Sequence, residues 1–325
     1  MDVHDSRTVV DFQKFTFSGH LRSHVLKVLD ENVKLGNADY ACYWALEMLC
    51  SGLVHSLWTQ FFDSAGKHIH RAAPNVFLYL VQKYEKFATY ESQYSLLHMT
   101  NIRNNPDVRT MICEVAATLA LCRKQKPLSF PKIKVEHDFQ PLTIQEHLKA
   151  PSSNYARHIV VGEDPLDLYV PMNEFVFCLR PETRDAINSF YWCAWILKYV
   201  SQKKKEKVEI ECASRPNSFV DDKFARHPIW LLWTAVLDAA KASPQGGLLN
   251  PYMDALFKLY CLRWTPATLK QRNVFLMAAI TFVCESTTLD IHSKVPADIH
   301  TIQNVTSNIP QWILAIIQTK KTFTS

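Results

Sequence analysis

His68-Ile69-His70 comes closer to a metal motif than any other part of this 325-residue chain. A helix turns residues two apart onto different faces, so the two imidazoles could share an ion only in an extended segment. No third ligand stands at a recognisable spacing. Ser201-Gln202-Lys203-Lys204 matches the S-x-x-K pattern of some serine nucleophiles, but within a lysine run the match is a chance one. Glu163-Asp164 and Asp221-Asp222 are adjacent acids able to hold a divalent cation or share a proton. Their ordinary reading is solvated loop acid. H-E-x-x-H, G-x-S-x-G and the phosphate loop G-x-x-x-x-G-K-[ST] are all absent. The expectation is a protein without catalytic residues, cofactor or metal, and not an enzyme.

What remains is basic. The net charge is +5, and the lysines and arginines gather in short runs. Such runs either neutralise phosphates with release of counterions or lie solvated in loops. The residues expected to touch nucleic acid or an acidic partner are Arg123, Lys124 and Lys126, with Lys203, Lys204, Lys205 and Lys207. Arg22, Lys27, Arg103, Arg109, Arg215, Arg226 and Arg263 stand near helix ends or loops and would enlarge an anion-binding surface if they converge. Trp44, Trp58, Trp192, Trp195, Trp230 and Trp233 lie among apolar helical residues, which predicts core packing rather than base stacking.

These residues need a scaffold, and the punctuation is helical. Seven glycines against sixteen prolines leave few positions for tight hairpins or Gly-rich loops. Asn105-Pro106, Asn250-Pro251 and Thr265-Pro266 each pair a capping residue with proline at a first helical position. Ala38 is followed, after four intervening residues, by Tyr43-Trp44 and then by Met48-Leu49. Ala186 is followed at the same offsets by Tyr191-Trp192 and Ile196-Leu197. The expected fold is all-α, with two related helical bundles in tandem, 1–126 and 182–325, joined by a Pro-rich irregular connector, 127–181. Within the connector, Thr143-Ile144-Gln145-Glu146 reads as a capping box, and Asn173 to Leu179 as a short apolar strand. The helix carrying Tyr191-Trp192 is expected to end near Ser201-Gln202, leaving the lysines in a loop. None of the nine cysteines forms a C-x-x-C pair and most sit in apolar runs, which predicts free thiols in a reducing compartment. Neither a signal-peptide core nor an apolar run long enough to span a bilayer is expected.

Ala38-x4-Tyr43-Trp44, Met48-Leu49, Gly52, Trp58 and His70-x3-Pro74 together resemble the C-terminal helical collar of clamp-loader-related replication ATPases. With Tyr191-Trp192-x2-Trp195, Arg215, Ile229-Trp230-x2-Trp233 and Lys270-x-Arg272, the likeness extends over both halves to a family of proteins of nucleocytoplasmic large DNA viruses. The collar resemblance implies assembly rather than catalysis, since the ATPase module is missing. The expected function is a non-enzymatic helical assembly or scaffold protein of a large DNA virus, in a complex acting on the viral genome. A minor capsid or core-associated virion protein is the alternative. Expected partners are other viral proteins, nucleic acid through the basic loops, and a second copy of the chain. The expected setting is host cytoplasm, viral factory or virion.

Overall fold

The computed structural model describes residues 2–296 and 298–320. Among them the regular elements are all helices, and one isolated antiparallel bridge joins Phe15 to Leu21. The fold is all-α. The first helices are α1 (Arg22–Leu35), α2 (Ala38–Cys50), α3 (Val54–His68), α4 (Asn75–Glu91) and α5 (Pro106–Leu121). Then come α6 (Val135–Asp138), α7 (Pro141–His147), α8 (Tyr169–Leu179), α9 (Ala186–Lys205) and α10 (Ile229–Ala242). The last are α11 (Gly246–Cys261), α12 (Leu269–Cys284), α13 (Ile299–Thr306) and α14 (Ile309–Gln318). Among the described residues no helix is long and apolar enough to cross a membrane.

Contacts divide the chain into two compact units, Met1–Pro127 with Asp290–Ser325, and Leu128–Leu289. In the first unit, Gly36 closes α1 at φ 81°, a left-handed position that glycine occupies without a Cβ clash. α2 follows at once and is buried on most of its circumference. It packs so closely on α5 that Cys42 Sγ donates to the Cys113 carbonyl at 3.2 Å. Trp58 of α3 sits among Phe61, Phe62, Tyr84 and Phe87 with ring centroids 5.2–5.7 Å away. α13 and α14 bury Ile302, Val305, Ile313 and Ile316 and lie against α2 and α5. This corrects the expected boundary at 182–325. The amphipathic C-terminal helices find their apolar partners in the first unit, so its core is completed by the end of the chain.

In the second unit, the expected connector supplies a core helix. Tyr169–Leu179 is α8, not a strand, and packs on α9, α10 and α12. The pattern of a short apolar run does not separate the two states. Among the described residues no extended neighbour is present to pair a strand's buried N–H and C=O groups, whereas a helix satisfies its own. Thr143 lies inside α7, which begins at Pro141, so it is not an N-cap. α11 starts at Gly246 and carries Pro251 in its interior, upstream of the expected Asn250-Pro251 start. α12 begins at Leu269, a turn after Thr265-Pro266. Trp58, Trp192, Trp195, Trp230 and Trp233 are buried as expected. Trp44 is only half-buried, against the His20 ring at 5.3 Å, so the two Tyr-Trp pairs lie in different surroundings.

Candidate nucleic-acid interface

α9 opens with Asp185, whose carboxylate accepts the Asn188 N–H, and runs through the lysines to Lys205. Lys203, Lys204 and Lys205 therefore form the last turn of a helix rather than a loop, where their charge opposes the partial negative charge of the C-terminal carbonyls. The chain leaves α9 through a Schellman closure: Val208 N–H donates to Lys203 O at 2.9 Å and Lys207 N–H to Lys204 O at 3.1 Å. The left-handed position of that motif, normally glycine, is Lys207 at φ 61°. A lysine stands where backbone geometry disfavours a side chain.

The ammonium groups differ in what they touch. Lys203 pairs with Glu206 at 3.1 Å and lies over the Tyr199 ring. Lys204, Lys205 and Lys207 are exposed, and among the described residues no carboxylate comes within ion-pair distance of them. Lys204 and Lys207 line a groove of about 280 Å³ together with His227, Glu209, Val208 and Pro228. His227 Nδ1 accepts the Ile229 N–H at the start of α10, at 3.2 Å. Burial, reinforced by the Lys204 ammonium, pushes the imidazole down to about 4, so it is neutral near pH 7. With Nδ1 accepting, the proton of the neutral ring is on Nε2, and His227 is among the residues that line the groove. In the sequence His227 stands directly before Pro228. Its place beside Lys204 in the groove had no local signal, because the two meet only through tertiary packing.

The Arg123–Lys126 run belongs to the first unit, and Lys124 spends its ammonium internally while the Arg123 and Lys126 side chains are exposed. Lys124 Nζ donates to the Leu119, Ala120 and Cys122 carbonyls at 3.0, 2.7 and 2.6 Å, closing α5, and burial lowers its pKa. Arg123 faces Asp290 at 3.7 Å, and the Lys126 carbonyl bonds to His70 Nε2 at 3.0 Å. The arginines do not pool into an anion surface. Arg103 donates to the Cys50 and Asp5 carbonyls, Arg109 to Arg103 O, and Arg22 to Ser56. Arg226 pairs with Glu211 and Glu163.

Arg215 grips Asp164 at 2.6 Å, and Asp164 also accepts the Val161 and Ala213 N–H groups. With its carboxylate 0% exposed, Asp164 is a buried structural acid, which corrects its reading as a solvated one. Asp221 and Asp222 are exposed. His68 turns to Asp30 at 3.1 Å while His70 turns to Lys126, and among the described residues no three His, Cys, Asp or Glu side chains are placed to hold a metal. The nine cysteines are buried and free, with burial raising the Cys50 thiol to about 12.

A wider cleft of about 560 Å³ in the second unit holds His158 and Asp238, paired at 2.9 Å, beside Arg180, Tyr155 and Ser152. Its rim is built: Asn173 of α8 accepts the Tyr155 N–H and donates to Ser152 O, and Glu174 accepts the Lys149 and Ala150 N–H groups. The pair resembles the base and orienting acid of a nucleophilic triad. Both side chains are about half exposed, at 56% and 46%, and among the described residues no hydroxyl is hydrogen-bonded to the imidazole. No family model, curated protein or solved structure matches the chain.

Proposed function

We propose that the protein is a non-enzymatic helical assembly protein that contacts nucleic acid through the basic end of α9, within a complex acting on a DNA genome. The observation that carries this reading is the set of unpaired, exposed ammonium groups on Lys204, Lys205 and Lys207. Elsewhere the chain uses its buried and half-buried cations for carbonyls and carboxylates, as at Lys124, Arg103 and Arg215. The collar-like and viral resemblance of the sequence supports an assembly role in a large DNA virus, alongside other viral proteins or further copies of the chain. Each lysine that neutralises a phosphate on duplex DNA contributes about −0.9 to the slope of log K against log salt. The test is binding to a fluorescein-labelled duplex across a salt series. The expected result is affinity that falls steeply with salt; no binding at low ionic strength would remove the reading.

A further inference from the structure

We infer that the groove beside the end of α9 seats one internal phosphodiester of the nucleic-acid backbone, with Lys204 and Lys207 supplying charge and His227 Nε2–H donating to a phosphate oxygen. This rests on the nucleic-acid reading above and adds a specific seat to it. Three observations meet in the groove. Lys204 and Lys207 line it, and among the described residues no carboxylate is in ion-pair reach of them. His227 lines the groove with its Nδ1 accepting the Ile229 N–H, which puts the ring proton on Nε2. Val208 and Pro228 give apolar walls against which a sugar can lie.

Charge counting selects the kind of phosphate. Two ammonium groups and the single lining carboxylate, Glu209, leave the groove one positive charge around a neutral imidazole. That balances the single negative charge of an internal phosphodiester better than the near double charge of a terminal phosphate. A neutral donor also predicts an unusual signature. Removing it weakens binding without changing the number of counterions released, whereas removing a lysine changes both.

The test is anisotropy of the full chain with a fluorescein-labelled duplex over a salt series, for the unmodified protein and for H227N, K204Q and E209Q. Asn at 227 keeps an acceptor for the Ile229 N–H while deleting the distal donor. H227N is expected to lose affinity by about threefold to tenfold, the worth of one neutral hydrogen bond, with an unchanged salt slope. K204Q is expected to lose affinity and to flatten the slope by about 0.9. E209Q, at an exposed position that does not depend on the fold of the helix start, is expected to bind more tightly. DNA binding that is salt-dependent but indifferent to both H227N and E209Q would overturn the seat and leave the broader reading standing. Absence of salt-dependent binding by the unmodified protein would overturn both. Displacement of the duplex by inorganic phosphate at matched ionic strength would show a small-anion site and overturn the backbone assignment.

Discussion

At the scale of single residues, some charged groups are tied inside the fold, while Lys204, Lys205 and Lys207 stand exposed at the end of α9. Asp164 and Arg215 represent the first kind. Replacing Arg215 with Met leaves a fully buried carboxylate without its partner, and the expected loss of stability is about 3–5 kcal/mol in denaturant unfolding, partly recovered in D164N/R215M. Burial pushes the Asp164 carboxyl up, but the Arg215 guanidinium and the two N–H donors pull it below its usual value. The same net lowering holds at Asp5, where burial is outweighed by Arg7 and Lys320, and at Asp30, where it is outweighed by His68 and Ser64. A depressed folded-state pKa contributes stability that is fully present above the unfolded value, near 3.8, and is lost as pH falls through the folded one. Unfolding followed against pH is therefore expected to show a plateau on the neutral side and a decline beginning near pH 4, shallower in D164N. The motif Glu163-Asp164 showed two acids in sequence, but which one is buried depends on Arg215, fifty-one residues away.

At the scale of elements, helix starts with a local mechanism were legible. Asn105 caps α5 with its side chain on the Asp107 and Val108 N–H groups, and Asp185 caps α9. Boundaries that depend on packing were not. α8 reads equally well as a strand until its neighbours are known, and α11 begins at Gly246, ahead of Pro251, where a Cβ would meet the Lys241 carbonyl. The end of α9 combines the two cases. Its lysines were visible as candidates, but the helix that carries them and the Schellman turn that presents Lys207 were not. Left-handed geometry costs a non-glycine residue roughly 1 kcal/mol. K207G is thus expected to unfold at slightly higher denaturant while binding DNA more weakly, and a variant that gains stability without losing affinity would detach Lys207 from the interface. On α8, N173A is expected to raise hydrogen exchange in residues 152–156, whose backbone Asn173 holds from both sides.

At the scale of the whole molecule, the helical class follows from glycine scarcity and N-cap-proline pairs, whereas the division into units does not. Nothing local in Ile302, Val305, Ile313 or Ile316 says that their apolar face is covered by α2 and α5 rather than by the preceding helices. Deleting 299–320 is expected to raise hydrogen exchange throughout α2 and α5 and to leave α10–α12 protected; uniform loss in both units would contradict the assignment. The account stands most directly on the free lysines at the end of α9. Its sharpest test is the salt dependence of duplex binding by the triple variant K204Q/K205Q/K207Q beside the unmodified protein. With one phosphate neutralised per lysine, the slope of log K against log salt is expected to flatten by about 2.7. An unchanged slope in the triple variant would contradict the account, because the charge that meets nucleic acid would then lie elsewhere on the molecule.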